Sequence, residues 1–224
     1  MTTAQLDRVA LQMAADAGAE PLFKGVRNPR ARIPFPGAIC SSINEQVVHG
    51  IPSEDTKLRE GDILSIDFGV RLQGYCGDAA VTIPIGNISE DNRRLMDATK
   101  RVLEIAMEKA APAVRWSQVA SQMQRYAESA GFSVVRDFVG HGIGRKMHEE
   151  PKVPNFVSDE LLANDIILTE GMVLAVEPMI NAGTSAVRAL KNGWTVVTKD
   201  GKCSAHFEHT LAIVKGGCEV LTVK

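Results

Sequence analysis

The feature that most narrows the fold of this chain is an echo between its two halves. EGDILSID at 60–67 matches EGMVLAVE at 170–177, each a Glu-Gly pair leading an apolar strand that ends in a carboxylate. VVHGIP at 47–52 matches VGHGIG at 139–144, both placing a histidine before Gly-Ile. A helical pattern over 3–17, ending at Ala17-Gly18, matches another over 117–130, ending at Ala130-Gly131. Such self-similarity marks a repeated supersecondary unit. Each half, about 1–88 and 89–224, predicts helix, strand, histidine-bearing turn, carboxylate-ended strand and hairpin. The expected class is α+β: mainly antiparallel strands curved into one sheet, helices on one face, and pseudo-twofold halves in a single domain over 1–224. A hydrophobic share of 45% is enough to fill such a core.

The helices carry their own signals. Thr2 and Gln5 offer a capping box ahead of Leu6, Val9, Ala10 and Met13 at helical spacing. The 117–130 helix puts Val119, Met123, Tyr126 and Ala127 on one face. One element breaks the symmetry. A helix over 90–110, with Leu95, Val102, Leu103 and Ala106 inward, precedes the second half, and nothing equivalent precedes residue 3. The first half is therefore expected to lack that helix and to leave a matching apolar strip bare.

A net charge of −2 argues against nucleic acid or an anionic membrane surface as partner. The apolar runs are too short to span a bilayer. The first residues have neither the basic n-region nor the apolar h-region of a signal peptide. Cys40, Cys76, Cys203 and Cys218 form no C-x-x-C pair, which predicts reduced thiols in a cytoplasmic protein rather than a disulfide framework or thiolate zinc site.

Against that background the stretch SIDFGVRLQGYCGDAA (65–80) is costly, because it places Asp67 and Asp78 on the apolar strands of one hairpin. The second half adds His141 in GHGIG, Glu177 in LAVEP and Glu208 in HFEHTLAIV. A lone acid ordinarily ends up solvated; acids at corresponding places in two halves point to something positive between them. Four carboxylates and one imidazole match the charge of two divalent ions, and without metal they would have to take up protons. Oxygen-rich ligation with one nitrogen suits manganese, iron(II), cobalt or zinc.

GDILSIDFG…GYCGDAAVT, GHGIGRKMHEEP, MVLAVEPMI and NGWTVVTKDGKCSAHFEHT together resemble the type I methionine aminopeptidases, of the pita-bread metallopeptidase fold, from about residue 3 to the end. The resemblance implies that Asp67 chelates one ion, His141 and Glu177 the other, and that Asp78 and Glu208 bridge both. It implies catalytic roles for Glu177, as acceptor and donor of the water's proton, for His148, at the scissile carbonyl, and for His49, on the substrate backbone. It implies a methionine pocket of Phe35, Cys40, Met147 and Trp194, and as partners a peptide or nascent-chain N-terminus and the ribosome exit region. His206 and His209, either side of Glu208, are read as structural.

Two features depart from the family pattern. The 25–40 loop, GVRNPRARIPFPGAIC, is longer and more basic than usual, and the opening helix of the relatives is missing. Two alternatives stay open. A proline-directed peptidase of the same fold would need an Arg-Glu-Asp pattern where this chain has Phe207-Glu208-His209. A non-catalytic binding module of the same fold would be expected to have lost ligands.

Overall fold

The computed structural model describes residues 1–223. Three helices carry most of the helical structure: α1 (Thr3–Asp16), α2 (Glu90–Lys109) and α3 (Trp116–Ser129). The Thr2–Gln5 capping box forms as the sequence predicts. Ser89 caps α2 by accepting the Asn92 N–H, with Glu90 and Asp91 in the first turn and Lys109 in the last, matching the helix dipole. Leu95, Val102, Leu103 and Ala106 of α2 are buried, as are Val119, Met123 and Ala127 of α3. Tyr126 is the exception. It was expected on the inner face, but at 36% exposure it sits at the edge of the stripe. That edge suits a side chain with an apolar body and a polar tip.

Among the described residues the strands are antiparallel and fall into four hydrogen-bonded ladders. One joins Glu20–Pro21, Ile63–Leu72 and Cys40–Ile43, with Tyr75–Pro84 also on the Ile63–Leu72 strand. Another runs Gly217–Val220, His209–Val214, Val173–Val176, Gly140–Gly142, Glu149–Val153. A two-way bridge stitches these ladders together: Glu208 N–H donates to the Ala80 carbonyl at 2.9 Å, and Ala80 N–H to the Glu208 carbonyl at 3.3 Å. The first half's acid-bearing hairpin is thereby fixed against the second half's last acid. The main core packs α2 and α3 (Leu95, Val102, Trp116, Val119, Met123) against strand residues Leu174, Val176, Leu211 and Ile213.

α2 covers α3, whereas α1 buries only Thr3 and Ala14 and leaves Val9 53% and Met13 65% exposed. What α1 does anchor is the site: the Asp7 carboxylate accepts the N–H groups of Ala38 (2.6 Å) and Ile39 (3.0 Å), just ahead of Cys40. Among the described residues no helix is long and apolar enough to cross a membrane.

Candidate metal centre

Each acid is held by a backbone arrangement written in its local sequence. Asp67 lies mid-strand between Cys40 and Ala80 on the neighbouring strands. Asp78 lies opposite Gly69, and a Cβ at Gly69 would come within 3.1 Å of its Oδ1. Thr210 clamps the Asp78 backbone from the other half: its Oγ1 accepts the Asp78 N–H (3.0 Å) and donates to the Asp78 carbonyl (2.8 Å). His141 sits between Gly140 and Gly142, where side chains would collide with the carbonyls of Ala175 and Glu150. Small residues there let the histidine strand press between its neighbours.

These placements bring the five sequence-predicted ligands together. Ligand atoms of Asp78, His141 and Glu208 lie within 4.8 Å of one another. His141 Nε2 is 3.6 Å from Glu177 Oε1, and Asp67 and Asp78 line the same small chamber as these residues. His141 Nδ1 is 2.9 Å from the Gly142 carbonyl, which can only accept. Nδ1 therefore carries the proton and the Nε2 lone pair faces the acids, as a metal-ligating imidazole requires.

No lysine or arginine pairs with the four acids among the described residues. Burial pushes the carboxyls of Asp67, Glu177 and Glu208 well above the ordinary range, and neighbouring carboxylates push them further. Burial lifts Asp78 to about 7, partly opposed by the Ala79 N–H. Asp67 Oδ1 and Glu208 Oε1 have no hydrogen-bond partner among the described residues. Buried orphans of this kind need an unseen partner. Carboxylate oxygens with one free imidazole nitrogen are the donor set of a hard to borderline divalent cation, so the site fits one.

His49 has φ +58° and its ring stands edge-on to Phe138 at 5.5 Å. Burial, then the neighbouring His148, lowers its pKa to about 4. His148 is exposed at the mouth of the site, 4.4 Å from the His141 ring. Both line an open chamber of about 710 Å³ together with Asp67, His141 and Glu177. A smaller chamber of about 120 Å³ adjoins the same acids and is walled by all four expected pocket residues, Phe35, Cys40, Met147 and Trp194.

Three residues were missed. Phe23 and Val26 also wall the small chamber. His206, expected to be structural, turns its unpartnered Nε2 to within 3.8 Å of Glu177 Oε2. No sequence signal pointed to Phe23, whose packing on Gly69 of the acid-bearing hairpin is visible only in the fold. His206 had none beyond its place two residues before Glu208. His209 is structural as expected, its Nδ1 2.8 Å from Thr222 Oγ1.

The description of metallopeptidase family M24 matches residues 1–215. The chain belongs to that family. A methionine aminopeptidase of Clostridium perfringens is 48% identical over 223 residues, covering 100% of this chain and 86% of its own. The crystal structure of a methionine aminopeptidase from Thermotoga maritima superposes with a TM-score of 0.93 at 40% identity, covering 100% of this chain and 86% of that one. A prolidase from Thermococcus sibiricus, at 22% identity and TM-score 0.72, covers 99% of this chain and 51% of that one. The likeness to the prolidase shows the fold alone. The pita-bread fold and divalent-metal use expected of an M24 metallopeptidase are thus both supported.

Proposed function

We propose that this M24 chain removes the N-terminal methionine from peptides and nascent polypeptides whose second residue is small. The observation that carries this reading is the small apolar chamber closing on the acid cluster. Its volume of about 120 Å³ is the size of one side chain, well under the roughly 300–1,000 Å³ of a small-molecule site.

Asp67, Asp78, His141, Glu177 and Glu208 would together hold a pair of divalent ions. When bound, they supply the Lewis acidity that activates water and polarises the scissile carbonyl. Glu177 takes the proton of the attacking water and delivers it to the leaving amine as the C–N bond breaks. His148 donates to the carbonyl oxygen as negative charge develops there. His49, across the chamber mouth, bonds the substrate backbone beyond the cut. Ligands from both halves support a single catalytic unit over 1–224. Four free cysteines favour the cytoplasm, where a nascent chain at the ribosome exit would be the natural substrate.

A substrate panel tests the activity. Met-Ala, Met-Gly and Met-Ser peptides should release methionine, Met-Lys and Met-Leu poorly, and Ala-Pro or Leu-Pro peptides should be inert. Preferential cleavage of the last two would establish the prolidase alternative.

Metal removal should also leave a pH signature in stability. Above the ordinary histidine pKa of about 6.5, unfolded histidines are neutral and unfolded acids ionised. The folded, metal-stripped protein still holds protons on its raised acids, Asp78 titrating at about 7. The native state then binds more protons, so stability falls as pH rises. Below that window the depressed His49 (about 4) and His206 (about 3) act in the opposite sense and flatten the curve. The chelated protein should therefore melt lower at about pH 8 than at about pH 6.5, and saturating Mn²⁺ should abolish the difference. Parallel curves with and without metal would contradict the assignment.

A further inference from the structure

We propose that residues 27–34 act as a latch holding Trp194 in place as the outer wall of the first-residue pocket, with Asn28 as its positioning residue; the substrate consequence rests on the aminopeptidase reading above. The segment leaves the wall at Val26 and returns at Phe35, both of which line the small chamber. Two backbone hydrogen bonds close its base: the Gly25 N–H donates to the Phe35 carbonyl and the Phe35 N–H to the Val26 carbonyl, each at 2.8 Å.

Its far end is tied to the turn that carries Trp194. Asn28 Nδ2 donates to the Gly193 carbonyl at 2.9 Å, while Asn28 Oδ1 accepts the Arg30 N–H at 3.0 Å. The Trp194 indole Nε1–H donates to the Ile33 carbonyl at 3.0 Å. Gly193 adopts φ +79°, and a Cβ there would sit 2.5 Å from both Ala31 Cα and the Arg30 carbonyl oxygen. Turn and loop are thus in backbone contact, at a position only glycine fills without strain. The indole then stands edge-on to Phe35, centroids 5.2 Å apart at 74°.

An indole fixed at its N–H and its edge is a rigid wall, because a buried N–H seeks its acceptor and the ring its partner. Behind a rigid wall a pocket can exclude a branched side chain. Apolar pockets discriminate by about 10–200-fold for one methylene, so a small retreat of the wall is measurable. Asn28 bonds only Gly193 and Arg30 and no acid or histidine of the centre, so the latch is expected to govern binding rather than the chemical step.

The test is Asn28→Ala, which releases Gly193 and leaves every acid and histidine of the centre in place. The kcat/KM preference for Met-Ala-Ser over Leu-Ala-Ser should fall about tenfold. KM for Met-Ala-Ser should rise with kcat and metal content unchanged. Acrylamide quenching of tryptophan emission should increase; Trp116, 0% exposed, contributes little, so the change reports Trp194. Trp194→Phe keeps an aromatic wall but has no N–H for Ile33, and should relax the same preference should Asn28→Ala fold poorly. An unchanged preference, or a fall in kcat at constant KM, would overturn the latch. If the unaltered protein releases no methionine at all, the aminopeptidase reading fails, and quenching alone decides the latch: equal quenching with and without Asn28 overturns it.

Discussion

Replacing Glu208 with alanine is expected to remove at least one equivalent of bound metal and to abolish turnover. Glu208 is 2% exposed, and its Oε1 finds no partner among the described residues. Its backbone is held independently of the side chain, through the paired hydrogen bonds to Ala80. The strand junction should therefore survive truncation while the proposed ligand is lost. Changes to groups that only orient ligands cost about 10–100-fold in affinity or activity, so losing a residue proposed as a ligand itself should cost more. Glu208→Gln, which keeps the volume but not the charge, should fail similarly. Metal analysis of the purified variant with a methionine-release assay measures both effects. A variant that retains two metals and full activity would remove Glu208 from the centre.

His148→Ala should lower kcat by about 10²–10³ while metal content stays constant, the expected loss of one donor to a developing oxyanion. The side chain is exposed and meets His141 only ring to ring, at 4.4 Å. Truncation should therefore leave His141 in place through the hydrogen bond from its Nδ1 to the Gly142 carbonyl. An interaction made chiefly in the transition state appears in kcat rather than KM. If the variant instead loses metal and the remaining loaded fraction turns over normally, His148 is a ligand and not a donor.

The acid-bearing hairpin was legible because strand alternation and the turn after Leu72 are local signals. The inward faces of α2 and α3 were legible for the same reason, as stripes at helical spacing. What escaped depends on distant backbone contacts. Phe23 and Val26 reach the pocket because Gly25 and Val26 bond back to Phe35 across the 27–34 excursion. Those bonds are carbonyl to N–H and leave no side-chain pattern to read. His206 escaped because its strand alternation was ambiguous until pairing with Met179 fixed its register. Likewise, sequence could gather five ligands but not their spacing. The tight set of Asp78, His141 and Glu208 depends on the Ala80–Glu208 bridge, which joins residues 128 positions apart in the numbering.

The two halves of this M24 chain are proposed together to hold a pair of divalent ions that makes it an aminopeptidase. The direct measurement is calorimetric titration of metal-stripped protein with Mn²⁺, with methionine release from Met-Ala-Ser recorded at each addition. Two equivalents bound per chain, with turnover appearing as they fill, is the predicted result. Full methionine release without added metal, or saturation at a single equivalent with full activity, would contradict it.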